Sequence, residues 1–273
     1  MWHVIVVWIL SLSSYSVYGE ASQVPCYFIF GDSLYDNGNN NALPTTAKAN
    51  YPPYGVDFPM GPTGRFTNGR NVADILAELL GFDNSIPSFA RARGDEILKG
   101  VNYASGAAGI RDESGAYLIL YNLGARKVAV FGIGVIGCTP GMIAMYGTNG
   151  SLCVDFVNNA VQLFNAKLIP LVEDFNKNML NSTFIFVDSY QIALTPTLTT
   201  GAQVTNATCC DVITTISFQC IPLGIPCKNR DDYTFWDAVH PTEALNLIYT
   251  QRYYSAAFPS DSYPFDIRHL ALL

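Results

Sequence analysis

Charge is scarce in this chain. Only 14% of its 273 residues are Asp, Glu, Lys or Arg, and the balance is acidic, at −7. A surface of that sign, without a lysine or arginine run, excludes the electrostatic footprint of a nucleic-acid binder and disfavours anionic membranes. No block of like charge is long enough to form a solvated tail. The Gly-Lys-Ser/Thr of a phosphate loop is absent, as are internal repeats and low-complexity tracts. No apolar run reaches the ~20 residues of a membrane span. Val4–Leu12 is too short, and Val128–Cys138 is broken by glycines. Histidine is the scarcest reactive side chain, with three in all: His3, His240 and His269. None lies among the cysteines between 209 and 227, so that cluster reads as disulfides rather than zinc.

What is present points to export. Val4–Leu12 is followed by serines and then by the small residues Gly19 and Ala21, the pattern of a signal peptide over residues 1–21. Three glycosylation triplets begin at Asn149, Asn181 and Asn206. The cysteines number seven, and an oxidising compartment would pair six of them. Four crowd between Cys209 and Cys227 with their pairing open. Cys138 and Cys153 are expected to make the third pair, which leaves Cys26 over. These features predict a secreted, extracellular protein whose residues 22–273 form a single domain.

Apolar periodicity gives the elements. Tyr27–Phe30 is a short buried strand ending in polar turn residues, and an irregular Pro- and Gly-rich stretch occupies Leu43–Gly64. Asn71–Leu80 is a helix stopped by Gly81. Further strands are expected at 101–104, 127–132 and 183–187. Val154–Met179 reads as one long helix adjusted at Pro170, and 241–257 as the last helix, with Pro241 at its start. Strands alternating with helices imply an α/β fold, with a mostly parallel sheet covered on both faces.

A serine on a polar turn just past a buried strand stands at the sheet edge where ligands bind in open α/β folds. Ser33, in Phe30-Gly31-Asp32-Ser33-Leu34, is so placed. Serine hydrolysis also needs a base and a group to orient it. His3 leaves with the leader and His269 lies near the carboxyl end, so His240 is the candidate base. Asp237, three residues earlier on the same turn, can reach its Nδ1–H. Ser105 is the rival nucleophile, but its surroundings lack the first glycine of a Gly-x-Ser-x-Gly elbow. Asp32 and Asp36 fit turn formation better than acid–base work, and no spacing links Asp188 to a histidine.

The longer string Gly31-Asp32-Ser33-Leu34-x-Asp36-x-Gly38-Asn39-Asn40 resembles the first conserved block of the GDSL esterases/lipases of the SGNH hydrolase superfamily, in their secreted plant form. Asn102-Tyr103-Ala104-Ser105-Gly106 resembles the second block, and Phe235-Trp236-Asp237-x-x-His240-Pro241-Thr242-Glu243 the last. The resemblance extends from about Val24 to the carboxyl end. It implies a three-layer, flavodoxin-like fold and a catalytic set of Ser33, His240 and Asp237. The oxyanion would be held by the backbone N–H groups of Gly106 and Ser33. No cofactor and no metal is implied, and the substrate would be a lipid or acyl ester.

One block is missing from this pattern. The family's third block is a Gly-x-Asn-Asp whose Asn is a further oxyanion donor, and no Asn-Asp dipeptide occurs in the chain. The gap falls between Gly115 and Tyr121, where the family carries a central strand and its flanking helices. The sheet is therefore expected to lack a central strand. The alternative function is a non-catalytic secreted glycoprotein relative of the family.

Overall fold

The computed structural model describes residues 22–109, 117–194, 204–213 and 218–273. The expected leader lies outside them, as does part of the expected gap. Helix α1 (Val72–Leu79) starts at a reciprocal capping box. Asn71 Oδ1 accepts the Asp74 N–H, and the Asp74 carboxylate accepts the Asn71 N–H. Gly81, in the left-handed region at φ +84°, ends it. Helix α2 (Tyr117–Asn122) leads to strand β1 (Lys127–Phe131), and α3 (Pro140–Tyr146) follows, capped by Thr139.

The single long helix expected at 154–179 is two helices, α4 (Asp155–Asn165) and α5 (Leu168–Asn178). The break falls at Ala166–Lys167, ahead of Pro170. That proline sits in the first turn of α5, where its missing N–H has no intrahelical partner to lose. It therefore helps begin a second helix instead of bending one. Strand β2 (Thr183–Val187), helix α6 (Ser189–Leu194), strands β3 (Val204–Thr208) and β4 (Tyr233–Phe235), helix α7 (Glu243–Tyr254), strand β5 (Ser262–Tyr263) and helix α8 (Ile267–Leu272) complete the order. Thr242, not Pro241, is the cap of α7. Among the described residues no helix is long and apolar enough to cross a membrane.

β1 and β2 pair in parallel from Lys127 opposite Thr183 to Phe131 opposite Val187, and β5 runs antiparallel on the other side of β2. The pleat of β2 divides the core. Ile185 and Val187 pack with Val72 and Leu76 of α1, Tyr253 of α7 and Leu270 of α8. Phe184 and Phe186 pack on the opposite side with Leu168 and Val172 of α5. Helices thus cover both faces of a small, mostly parallel sheet, the expected α/β layering.

The segment bearing the serine does not join that sheet. Tyr27 and Ile29 donate to the carbonyls of Lys99 and Val101, and Tyr103 and Ser105 donate back to Ile29 and Gly31. Asn102 pairs in turn with Pro87 and Phe89. The strands expected at 27–30 and 101–104 are thereby reduced to a short parallel patch. On its outer edge the N–H and C=O groups of Phe28 and Phe30 have no partner among the described residues. Both rings are about half exposed, and Phe30 stacks on Tyr103. A strand needs a neighbour to extend its ladder, and among the described residues 27–31 has one on a single side only.

Two further ties position the site. Cys209–Cys227 and Cys210–Cys220 close the Cys-rich loop, Cys138 bonds Cys153, and Cys26 is a free thiol. The loop's sulfurs pack with Tyr54, Phe66 and Trp236. The irregular stretch holding Tyr54, with Phe66 just past its end, is pinned to α1 by a buried ion pair, in which Arg65 donates from Nε and Nη2 to Asp74 at 2.6 and 2.7 Å.

Candidate active site

Each polar residue of the serine turn has a structural partner. Leu34 N–H donates to Asp32 Oδ1, and the Tyr35 and Asp36 N–H groups donate to the Asp32 carbonyl. Asp36 is fully buried, and its Oδ1 accepts the N–H groups of Gly38 and Asn39, both at 2.8 Å. The asparagines then brace the turn against the rest of the chain. Asn37 donates to the Ile86 carbonyl, Asn39 to those of Asn102 and Ala104, Asn40 to Ala47 and Gly106, and Asn41 to Thr63. Gly38, at φ +126°, takes a backbone conformation that side chains rarely allow. Asp32 and Asp36 are turn-formers, as their spacing indicates.

Ser33 stands on this turn, partly exposed. Its Oγ lies 2.7 Å from His240 Nε2. The other ring nitrogen, Nδ1, is 2.9 and 2.8 Å from the two carboxylate oxygens of Asp237. Asp237 is completely buried and His240 nearly so. Their turn is closed locally: Asp237 Oδ1 accepts the N–H groups of Val239 and His240, each at 2.8 Å. Burial, the strongest single influence, lowers the pKa of His240. The charge of Asp237, its hydrogen bond and the charge of Asp32 outweigh it, so the net shift is upward. The structure thus brings together Ser33, His240 and Asp237, which the sequence places up to 207 residues apart.

Other expected residues lie elsewhere or do other work. The Gly106 N–H, expected to face an oxyanion, donates to Asp36 Oδ2 at 2.9 Å, so a buried carboxylate already holds it. The Ser33 N–H has no partner among the described residues. Ser105 Oγ donates to Asn40 Oδ1 at 2.6 Å and meets no histidine. His269 is exposed beside Asp266, and Asp188 caps the start of α6. Asn149, Asn181 and Asn206 are all exposed. Clefts of about 540 and 340 Å³ are lined by none of Ser33, Asp237 or His240.

Two neighbours went unnoticed in the sequence. Tyr54 Oη donates to Asp237 Oδ2 at 2.7 Å across 183 residues. The Phe66 ring lies against the imidazole, with centroids 4.9 Å apart. Tyr54 sits in the Leu43–Gly64 stretch, whose only local signal is its proline and glycine content, and Phe66 lies just beyond it in Arg65–Arg70.

A serine hydroxyl on an imidazole, with a buried carboxylate behind it on a three-layer α/β frame, has the geometry that acyl transfer to a serine requires. The family follows from comparison with known proteins. The GDSL-like Lipase/Acylhydrolase profile matches residues 27–119 and 113–251, and the chain belongs to that family. GDSL esterase/lipase At5g45670 of Arabidopsis thaliana is 38% identical over 335 residues, covering 91% of this chain and 92% of the relative. GDSL esterase/lipase At1g29660 of the same plant is 38% identical over 359 residues, covering 100% of this chain and 98% of the relative. Both alignments are longer than the 273-residue chain, so the relatives carry sequence without a counterpart here. Family and relatives together support an ester hydrolase of the esterase/lipase type.

Proposed function

We propose that the protein is a secreted serine esterase or lipase that hydrolyses carboxylic esters, lipid or acyl, through an acyl-enzyme on Ser33. The observation that carries this reading is the 2.7 Å approach of His240 Nε2 to Ser33 Oγ, with Asp237 on the opposite nitrogen. His240 takes the hydroxyl proton as Oγ attacks the ester carbonyl. Asp237 keeps the imidazole in the right tautomer and stabilises its cation. The imidazolium then protonates the leaving alcohol, and a water activated by the same nitrogen releases the acid. The Ser33 N–H is the unengaged donor for the oxyanion. Gly106 adds a second only if Asp36 releases it. Residues 1–21 act as the leader, 22–273 as one hydrolase domain, and Asn149, Asn181 and Asn206 as glycan acceptors.

The family's third block is absent in this reading. Its support is the missing Asn-Asp pair, the alignments longer than the chain and a family match in two stretches that meet at 113–119. Loss of one oxyanion donor lowers kcat by ~10²–10³. That deficit, with the Gly106 N–H held by Asp36, favours a second reading: a non-catalytic glycoprotein relative that keeps the fold without turnover. Fluorophosphonate labelling of the secreted protein beside Ser33→Ala separates the two. Label on Ser33 that is lost in the variant supports the enzyme, and a folded protein that takes no label supports the second reading.

A further inference from the structure

Granted the acyl-transfer reading above, we infer that Tyr54 is a positioning residue for Asp237, its phenol setting how much of the carboxylate's charge reaches His240. Asp237 Oδ1 is occupied by two backbone N–H groups as well as the imidazole. Oδ2 has two donors, His240 Nδ1 at 2.8 Å and Tyr54 Oη at 2.7 Å. The phenol and the imidazole therefore share one oxygen. Tyr54 has no solvent exposure, so water cannot take the place of its hydroxyl.

The hydroxyl is aimed as well as close. It accepts the Cys220 N–H at 3.0 Å, which leaves its own proton for Asp237. Cys220 is fixed by its disulfide to Cys210 and by Tyr51, whose hydroxyl donates to the Cys220 carbonyl at 3.0 Å. The ring packs edge-on against Tyr51 and Phe66, and Phe66 rests on the imidazole. Burial, then the charge of Asp237, holds the phenol pKa well above its ordinary value, so it remains a donor across the working range. The ionisable groups acting on the Asp237–His240 pair are Asp32, Tyr51 and Tyr54.

Withdrawing the phenol proton leaves more negative charge for the imidazolium, which raises the pKa of His240. A stronger donor at the same place lowers it. The test measures the imidazole titration of His240 by NMR, which needs no turnover, and the acid limb of kcat/KM for p-nitrophenyl butyrate. Tyr54→Phe is expected to raise both midpoints by roughly half to one pH unit and to reduce kcat about tenfold with KM little changed. Tyr51→Phe removes the other hydroxyl from Cys220 without removing a hydrogen bond to Asp237, and is expected to move both midpoints by much less than Tyr54→Phe. Site-specific 3-fluorotyrosine at position 54 keeps ring and hydroxyl but donates more strongly, and is expected to lower them. It decides the matter alone if Tyr54→Phe does not fold. Midpoints unmoved by 3-fluorotyrosine, or moved equally by Tyr51→Phe, would overturn the inference. Ester hydrolysis that survives Ser33→Ala would instead sink the acyl-transfer reading and leave the titration result standing.

Discussion

Asp36→Asn tests how the serine turn is built. In the structure the carboxylate accepts three backbone N–H groups, from Gly38, Asn39 and Gly106, at 2.8, 2.8 and 2.9 Å, with no access to water. Asparagine can keep Oδ1 on Gly38 and Asn39, since this kind of turn takes either residue. Its NH₂ then faces the Gly106 N–H, donor against donor. The charge-assisted bond that is lost contributes ~1.5–3 kcal/mol, and the orphaned buried N–H costs a further ~1–3 kcal/mol. The sum is about 2.5–6 kcal/mol, a large share of a total stability of ~5–15 kcal/mol. Trp236 is a suitable probe, being fully buried next to Asp237 and the one tryptophan beyond residue 21. In urea the unfolding midpoint should fall by about 1 M or more, taking a slope of ~3 kcal/mol per M. A fall of less than ~0.3 M would refute this account of the turn. Fluorophosphonate labelling of Ser33 should also slow. If labelling or ester hydrolysis speeds up instead, Gly106 has been freed to serve the oxyanion, and Asp36 restrains the site rather than building it.

Other perturbations have separate signatures. The pKa of His240 is raised, and the base works as neutral imidazole, so kcat/KM should fall as pH drops through a midpoint above the ordinary 6.5. The same shift makes the Asp237–His240 pair stabilise the fold most fully below 6.5 and lose that contribution as pH rises past the folded-state pKa; urea titrations at several pH values would record it. Arg65→Met strands the buried Asp74 carboxylate and should cost about 3–5 kcal/mol in urea, while Arg65→Met with Asp74→Leu should recover only part of it, because the carboxylate also accepts the Asn71 N–H of the α1 capping box. Replacing Cys138 and Cys153 by alanine opens a loop of 15 residues and should cost ~3 kcal/mol with kcat intact. Replacing Cys210 and Cys220 should lower kcat as well, because Cys220 holds the Tyr54 hydroxyl.

The meeting of Ser33, His240 and Asp237 was legible because its members are rare and locally framed. With three histidines, two of them near the ends, His240 stood out, and Asp237 lies on the same turn three residues away. The helix capped by Asn71 was legible for the same local reason. What stayed hidden depends on distance. Nothing around Tyr54 signals a carboxylate 183 residues downstream. The second-block pattern marks Gly106 but not the direction of its N–H, which a buried acid 70 residues earlier decides. Tyr27–Phe30 has the apolar pattern of a strand, yet a strand's extent depends on both of its neighbours, and among the described residues one edge has none. At Pro170 the local rule was sound, but a proline early in a helix marks a start as readily as a bend.

The asparagine braces have an evolutionary consequence. Every carbonyl they engage from Asn37, Asn39, Asn40 and Asn41 belongs to residues 47–106, on the amino-terminal side of β1. The aim of Ser33 is thus inherited with its own segment and does not depend on how many strands the sheet later acquires or sheds. Sheet width and nucleophile geometry become separable traits. A change in the number of strands would then leave the heading of the Ser33 hydroxyl in place.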